Sequence, residues 1–240
     1  MILDSFVYSN KGGRAHNEDF AGGRSTPGGG LFVLADGLGG HHHGELASKC
    51  VADTLLAGEP AEGDDLPVWL ERQMLCANEE LLALQKEKNS NMKSTAVMLA
   101  VQGDKASWAH VGDSRLYYFH QSGISAITDD HSVAYKKYKA GEITRAQIGQ
   151  DPDQPCLIRT MGGRDHSQPD VASCGGSLAS GDAFLLCTDG VWEYMRDEEA
   201  LIDLLKAESA KHWAELILLR VMERVEPGND NLSLITVLVV

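Results

Sequence analysis

The sequence predicts an α+β fold in which two β-sheets lie face to face, with pairs of α-helices outside them. The predicted strands and helices come in groups, whereas strictly alternating strands and helices would indicate a parallel sheet. Several strands are continuous apolar runs, which is typical of strands covered on both faces. The chain has 240 residues, of which 43% are hydrophobic, and it contains no long polar linker or fixed repeat. We therefore predict a single domain over residues 1–240.

The first predicted elements surround the run 31–36. Five apolar residues lead there into an aspartate and the glycine-rich turn 37–40, which indicates a buried strand with a carboxylate at its end. A polar cluster at 14–20 precedes this strand, in a second strand or a loop. Apolar residues then recur at helical spacing in two segments. In chain order, these elements are a weakly alternating strand over 5–9, the strand over 31–36, and helices over 44–56 and 66–88.

The chain then changes to strands that short turns connect. The turns 102–105 and 121–123 each join two apolar runs, which predicts two hairpins. The polar segment 129–165 interrupts the strands, and we expect only short helices around 132–140 and 144–149 within it. The remaining elements are strands over 95–101, 106–111, 116–120, 124–128, 171–174, 183–188 and 232–240, and helices over 197–207 and 209–225.

The charge balance excludes several classes of partner. The chain carries 21 basic and 35 acidic residues, a net charge of −14. Sequence-independent binding to a nucleic acid or an anionic membrane requires a basic surface, so we expect neither partner. No apolar run approaches the roughly 20 residues of a membrane helix, and no signal peptide is evident after Met1. The five cysteines form no C-x-x-C pair, which favours reduced thiols and a cytoplasmic protein.

Three aspartates at strand ends define a candidate site. Asp36 and Asp189 each follow an apolar run and precede a glycine, and Asp230 precedes the C-terminal run. We expect these carboxylates to form one cluster, and their oxygens suit Mg²⁺ or Mn²⁺. Arg14 is the cation of the otherwise acidic cluster 14–20, and a guanidinium matches a phosphate. This combination predicts metal-assisted phosphoryl transfer to water.

Other hydrolytic mechanisms lack their sequence signatures. No cysteine is followed by an arginine at the spacing of the cysteine phosphatases, and the phosphate-binding loop G-x-x-x-x-G-K-[ST] is absent. The zinc motif H-E-x-x-H and the serine-nucleophile motif G-x-S-x-G are absent as well. A structural zinc site would need cysteine and histidine at short spacing, which none of the cysteines offers.

Seven short motifs are spread over the chain. In order they are Arg14-Ala15-His16-Asn17-Glu18-Asp19, Asp36-Gly37-Leu38-Gly39-Gly40, Ser94-Thr95-Ala96, Gly112-Asp113-Ser114-Arg115, Asp130-His131-Ser132, Asp189-Gly190-Val191-Trp192 and Asp230-Asn231. Together they resemble the metal-dependent protein phosphatases, the protein phosphatase 2C-like family, and most closely its compact bacterial serine/threonine members. The resemblance covers nearly the whole chain. It implies a β-sandwich of two antiparallel sheets flanked by pairs of α-helices, with a flap inserted over about 131–165.

The resemblance also implies a dinuclear metal centre of Mg²⁺ or Mn²⁺ at one end of the sandwich. By motif position, Asp36 would bridge the two ions, and the Gly37 carbonyl would bind the second. Asp189 and Asp230 would hold the first ion. Glu18 would act on the second ion, directly or through its waters.

The remaining motif residues surround this centre in the family. Asp113, together with Asp189, resembles the position of a third ion in bacterial members. Asp19 and Asn231 would support the ligands, and Arg14 would bind the substrate phosphate. The family mechanism is in-line attack on phosphorus by a metal-bridging water, without a phosphoenzyme.

The resemblance thus implies a serine/threonine phosphoprotein phosphatase with Arg14 and Asp36 as its central catalytic residues. The expected partners are phosphorylated proteins, including a bacterial serine/threonine kinase and the targets of that kinase, and we expect a monomer. Two alternatives stay open: a catalytically weak regulatory binding module on the same fold, and a small-molecule phosphohydrolase. Leu38 stands where many eukaryotic relatives carry a histidine, so the residue that protonates the leaving group is not assigned.

Four further features remain. Two of them allow two interpretations each, and we interpret the other two as structural. The run His41–His43 is either an exposed loop near the site entrance or an aid to proton transfer. The basic run Lys136–Lys139 is either a solvated helix face or part of the flap. We interpret Arg115 as structural, in an ion pair with Asp113, and His131 as a residue that orients the backbone.

Overall fold

The computed structural model describes residues 2–26, 28–39, 43–163 and 167–240. In this part of the chain two antiparallel β-sheets lie face to face, and α-helices cover their outer surfaces, which confirms the predicted α+β sandwich. The strands are β1 (Leu3–Asn10), β2 (Asp19–Thr26), β3 (Gly29–Leu38), β4 (Lys93–Ser94), β5 (Ala96–Gln102), β6 (Lys105–Val111), β7 (Arg115–His120), β8 (Gly123–Ile127), β9 (Asp170–Ser173), β10 (Ala183–Cys187) and β11 (Leu232–Val239). The helices are α1 (His43–Ala57), α2 (Leu66–Lys88), α3 (Val133–Lys139), a 3-10 helix (Arg145–Gln150), α4 (Asp189–Trp192), α5 (Asp197–Leu204) and α6 (Ala210–Arg224).

The strand order joins distant parts of the chain. One sheet has five strands in the order β1-β11-β10-β7-β8. The other has six, in the order β2-β3-β5-β6-β9 with β4 paired to β3. The two predicted hairpins are present as β5–β6 and β7–β8. Since β11 lies between β1 and β10, the first and last strands of the described chain are neighbours in the first sheet.

Apolar side chains fill three layers of the molecule. Phe32 and Leu186 belong to the layer between the two sheets. Leu70 of α2 packs with α1 on the outer face of the six-stranded sheet. Trp213 of α6 is fully buried against the five-stranded sheet, and its indole N–H donates to the Ala200 carbonyl at 3.0 Å. The helix pairs therefore cover the outer faces of the two sheets, as the sequence predicts.

Polar residues define the ends of the longer helices. The carboxylate of Asp65 accepts a hydrogen bond from the Val68 N–H at 3.2 Å, which caps the N-terminus of α2. Asn89 ends this helix in the left-handed conformation, with φ of 48°. Ser209 caps α6 in the same way through the His212 N–H, at 3.1 Å. These contacts explain why the helix boundaries lie close to those that the sequence predicts.

Strand β2 extends further than its sequence indicates. The glycine pair Gly22-Gly23 argues against a strand, since glycine weakens strands. A Cβ on Gly23 would, however, lie 2.5 Å from the ring of Phe32 in the adjacent strand. The missing side chain at this position makes room for a core aromatic residue, so glycine is a packing requirement here.

The described part of the chain has no helix that is both long and apolar enough to cross a membrane. All five cysteines are free thiols. Cys187, in β10, is fully buried and packs as a small core residue.

Replacement of Leu186 by alanine tests the layer between the sheets. Leu186 is fully buried in β10, so Leu186→Ala should lower the free energy of unfolding by about 2–5 kcal/mol. Urea denaturation should show a lower midpoint at an unchanged slope. Leu219→Ala removes the same atoms from an exposed site on α6 and should cost less than about 0.5 kcal/mol. Equal costs for the two variants would contradict this core assignment.

Candidate active site

The predicted site residues meet in one cleft at an end of the sandwich. The cleft has a volume of about 630 Å³. Asp36 reaches it from β3, Asp113 from the turn between β6 and β7, Asp189 from the start of α4, and Asp230 from the segment before β11. Its lining residues include Arg14, Glu18, Asp36, Gly37, Asp113, Gln154, Asp189, Glu193, Asp230 and Asn231. The structure therefore brings the predicted metal ligands and Arg14 together.

Asp36 is fixed by backbone contacts on both sides. Its N–H donates to the Thr95 hydroxyl at 2.9 Å, and its carbonyl accepts the Thr95 N–H at 2.8 Å. Next to it, a Cβ on Gly37 would lie 2.0 Å from the Gly44 carbonyl oxygen, so only glycine fits. Gly44 in turn leaves room for the carboxyl group of Glu18, which would lie 2.6 Å from a Cβ there. The glycine-rich turn thus packs the start of α1 against the cleft.

Asn231 and Asp19 lie behind the predicted ligands. The Asn231 side-chain oxygen accepts the Glu18 N–H at 2.8 Å, and its amide donates to the carbonyls of Lys11 and His16 at 2.9 Å each. Asp19 lies directly across from Asp36 in the β2–β3 register. Its carboxylate accepts the Thr188 hydroxyl at 3.1 Å. Both residues are in position to orient the carboxylates at the surface of the cleft.

The clustered carboxylates repel one another. Burial, followed by repulsion from Asp19, raises the pKa of Asp36 well above its usual range. Burial and repulsion from Asp189 do the same to the pKa of Asp113. Burial also raises the pKa of Asp19 to about 7 and that of Asp189 to about 6, with repulsion between neighbouring carboxylates adding to both. A divalent cation would relieve this repulsion, so the oxygen donor set fits Mg²⁺ or Mn²⁺.

Arg14 is the cation that faces these carboxylates. Its guanidinium donates to the Asp230 carboxylate at 2.8 Å, and its side chain is 56% exposed. The turn before Arg14 requires glycine at position 12, because a Cβ on Gly12 would lie 2.1 Å from the Asp230 carbonyl oxygen. Arg14 therefore lies at the open side of the cleft, in contact with one predicted metal ligand.

The turn that carries Asp113 is held from three directions. The Gly112 N–H donates to Nδ1 of His131 at 3.1 Å, and the His131 N–H donates to the Gly112 carbonyl at 2.9 Å. The Trp192 indole donates to the Asp113 carbonyl at 3.0 Å. The Ser114 hydroxyl bonds to that of Thr95 at 2.7 Å, which links this turn to Asp36. The interpretation of His131 as a residue that orients the backbone agrees with these contacts.

Arg115 has a different partner from the one that the sequence indicates. Its guanidinium forms two hydrogen bonds with the carboxylate of Asp130, at 2.8 and 2.7 Å, rather than an ion pair with Asp113. Both side chains are almost fully buried. The guanidinium also lies 3.6 Å from the centre of the Trp192 ring. Asp113 is thereby left without this partner and faces the cleft.

A family model described as protein phosphatase 2C matches residues 8–215. The chain belongs to this family. It is 30% identical over 192 residues to the protein phosphatase PhpP of Streptococcus pneumoniae, which covers 78% of this chain and 77% of that protein. It is 31% identical over 227 residues to the serine/threonine protein phosphatase PstP of Mycobacterium tuberculosis, which covers 91% of this chain and 42% of the relative.

Solved structures of this family share the fold of the chain. The M. tuberculosis serine/threonine phosphatase PstP/Ppp superposes with a TM-score of 0.85 at 26% identity, over 100% of this chain and 99% of that one. Stp1 of Staphylococcus aureus gives a TM-score of 0.86 at 28% identity, over 100% and 96%. The catalytic domain of PstP in complex with two manganese ions gives 0.83 at 28% identity, over 100% and 99%.

Two residues of the cleft escape prediction from the family motifs. Gln154, in the predicted flap, donates its side-chain amide to the Asp113 carboxylate at 3.1 Å. Glu193 follows α4, and burial with repulsion from Asp189 raises its pKa to about 8. Neither residue belongs to a periodic pattern or to one of the seven motifs, so no local signal marks them.

Of the two runs with open interpretations, the structure describes the whole basic run, and of the histidine run only His43. His43 begins α1, and its Nδ1 lies 3.1 Å from the Ser90 hydroxyl, whereas His41 and His42 lie outside the described residues. In the basic run, Lys137 forms ion pairs with Asp151 at 2.8 Å and with Asp153 at 2.7 Å. The Lys137 side chain is 26% exposed, and these pairs join α3 to the segment 151–153; the assignment of the basic run to a flap stays a prediction.

The environment of His131 predicts a pH dependence of stability. Burial and the adjacent His110 lower its pKa to about 4, whereas an unfolded histidine titrates near 6.5. As pH falls from about 6.5 towards 4, only the unfolded chain gains this proton, so the native state loses stability.

His131→Asn, which retains an acceptor for the Gly112 N–H, isolates this contribution. The variant should be less stable than the wild type at pH 7.5. The difference should shrink by about 1–2 kcal/mol at pH 5, measured by urea denaturation with chelator present. A difference that does not change with pH would contradict the neutral, buried state of His131.

Proposed function

We propose that this protein is a Mg²⁺- or Mn²⁺-dependent phosphatase that hydrolyses phosphoserine and phosphothreonine in proteins. The observation that carries the proposal is the convergence of Arg14 and a cluster of repelling carboxylates on one open cleft, in a member of the protein phosphatase 2C family. The relatives are named serine/threonine phosphatases, and one of the similar structures holds two manganese ions. Family and geometry thus support the same reaction.

The residues that would hold two cations are Asp36, the Gly37 carbonyl, Glu18, Asp189 and Asp230. In this assignment Asp36 would serve both cations, and Asp113 with Asp189 would offer a further position. Bound cations would supply an activated water and neutralise charge on the phosphoryl oxygens. The chain itself contributes rigidity, since Asp36 is held through its own N–H and carbonyl by Thr95. Ligands fixed in this way need no reorganisation when substrate binds.

Arg14 would bind and orient the phosphate. A guanidinium has five N–H donors, and the Asp230 carboxylate accepts from one nitrogen of Arg14. Its remaining donors can bind two oxygens of a phosphate while the contact with Asp230 keeps the side chain beside the carboxylates. The half-exposed position of Arg14 suits a phosphate that arrives on a protein side chain.

The substrates would be phosphorylated proteins, among them a serine/threonine kinase and its targets. We propose that the whole chain is one phosphatase domain, active as a monomer, with the flap at the rim of the cleft. Pro155 and Leu157, both in the flap, line the cleft and are in position to contact a bound protein. Leu38 follows Gly37 directly, so the proton donor to the leaving oxygen must lie elsewhere.

Hydrolysis of a phosphothreonine peptide tests the function. Turnover should appear with Mn²⁺ or Mg²⁺, disappear with chelator and return when metal is restored. A panel of small phosphate monoesters distinguishes a protein phosphatase from a small-molecule phosphohydrolase. Folded protein that binds metal without turnover on any of these would support a regulatory binding module and contradict the proposal.

Asp36→Asn tests the carboxylate cluster. Loss of the bridging charge should lower metal-dependent turnover at least about 100-fold. In chelator the variant should melt at a higher temperature than the wild type, since one of the repelling charges is gone, and added Mn²⁺ should stabilise it less. Asp53→Asn, at an exposed position on α1, serves as the control and should change neither property. Near-normal turnover in Asp36→Asn would remove this residue from the site.

Arg14→Ala tests phosphate binding. Loss of charged hydrogen bonds to the phosphate should raise KM about 10-fold or more, with a smaller effect on kcat. Lys11→Ala removes an exposed positive charge three positions before Arg14. Lys11 does not line the cleft, and solvent screens its charge, so KM should stay within about twofold. Similar kinetics for Arg14→Ala and the wild type would exclude a role for Arg14 in substrate binding.

A further inference from the structure

One side of the cleft carries an aromatic ring that the proposed chemistry does not use. Tyr194 lines the cleft and is partly buried, where it packs against the core cluster of Trp213. Its carbonyl accepts a hydrogen bond from the Arg224 guanidinium at 2.8 Å. Arg224 in turn donates to the Glu199 carboxylate at 2.6 and 2.7 Å. The backbone that carries the ring is therefore fixed to both α5 and α6.

A tight turn that begins at Glu226 forms the next part of this side. The Asn229 N–H donates to the Glu226 carbonyl at 3.1 Å, and Gly228 and Asn229 line the cleft. The Gly13 N–H donates to the Asn229 carbonyl at 3.1 Å, and a Cβ on Gly13 would lie 2.6 Å from the Gly228 Cα. The turn thus packs directly against the residue that precedes Arg14, the proposed phosphate-binding residue.

The outer carboxylate of this side has no cationic partner in the part of the chain that the structure describes. Glu226 is exposed and forms no ion pair there, and Arg224, two positions before it, pairs with Glu199 instead. Burial, followed by the charges of Glu193 and Glu226, raises the pKa of the Tyr194 phenol. Ring and carboxylate are therefore close enough to act on one bound group.

The inner carboxylate is in a different environment. Burial and repulsion from Asp189 raise the pKa of Glu193 to about 8, so Glu193 belongs with the carboxylates that the cations would neutralise. Glu226 is not among the residues that line the cleft, and its charge would remain when the cations are bound. The opening of the loaded cleft would thus offer a positive centre for the phosphate and a negative charge beside an aromatic ring.

We propose that Tyr194 and Glu226 form a subsite for a lysine or arginine side chain of the phosphoprotein, a few residues from the phosphorylated one. The inference rests on the proposed function, which supplies the phosphoprotein. A cation is attracted both to the face of an aromatic ring and to a carboxylate. Arginine fits best, because its flat guanidinium can stack on the ring and still donate to the carboxylate. An acidic residue at the same place would be repelled, which gives the site selectivity between phosphoproteins.

A set of phosphothreonine peptides tests the subsite. Arginine, alanine or glutamate is placed at each flanking position in turn, and kcat/KM is measured with Mn²⁺. At one flanking position arginine should raise kcat/KM about fivefold over alanine, and glutamate should lower it below alanine. The difference should shrink as the salt concentration rises, since Glu226 is exposed.

Two variants assign this preference to its residues. Glu226→Lys should reverse it, so that the glutamate peptide is hydrolysed faster than the arginine peptide. The readout is a ratio between two peptides on one enzyme, so a general change in activity cancels. Tyr194→Leu keeps apolar bulk without the ring and should reduce the advantage of arginine about twofold. Glu223→Lys makes the same charge change on α6, outside the turn, and should keep the preference of the wild type.

Equal kcat/KM for the arginine and alanine peptides at every position would overturn the inference. So would the same arginine preference in the wild type and in Glu226→Lys. Metal-dependent hydrolysis of the peptides with either result would leave the proposed function intact, whereas no hydrolysis of any peptide would count against both.

Discussion

Mutual repulsion between carboxylates is the constraint on which the site depends. The fold brings Asp36, Asp113, Asp189 and Asp230 to one end of the sandwich, where burial and like charge raise the pKa of three of them. Such a cluster costs stability unless positive groups or hydrogen-bond donors compensate it. In the protein alone, Arg14 bonds to Asp230 and the amide of Gln154 bonds to Asp113. The metals of the family would provide far stronger compensation.

Neighbouring residues fix the turn around Asp113 in place despite this repulsion. Thr95 and Ser114 join it to the strand of Asp36, and His131 and Trp192 hold its backbone. The buried charges next to this turn compensate each other, because Arg115 and Asp130 form an ion pair that does not involve Asp113. Breaking this pair would leave an unpaired buried charge, which is more costly than loss of an exposed ion pair. Asp113 is consequently not tied to Arg115 and faces the cleft.

The sequence predicts much of this architecture because its signals are local or repeat the motifs of a family. Apolar runs place the central strands, and the order of the motifs along the chain is enough to identify Asp36, Asp189 and Asp230. Contacts between distant segments carry no such signal. The partner of Arg115 is 15 residues away in sequence, and the strand through Gly23 depends on a ring in the next strand.

Gln154 escapes prediction for the same reason. It lies in a polar segment without periodicity, and its importance follows only from the carboxylates that the tertiary fold places beside it. The sequence identifies the acidic half of the site, whose residues stand in recognisable motifs. The contribution of Gln154, Pro155 and Leu157 can be recognised only from the position of these residues in the folded cleft.

The position of β11 has a consequence for biosynthesis. This strand separates β1 from β10, so the five-stranded sheet cannot join its two parts before residues 232–239 leave the ribosome. Asp230 lies two residues before the start of that strand and also leaves the ribosome late. Pairing between segments more than 200 residues apart is slow because of the chain entropy it must overcome. A nascent chain therefore cannot assemble the complete cleft before β11 has emerged, and shortened translation products that end before β11 would carry the earlier carboxylates without the strand that organises them.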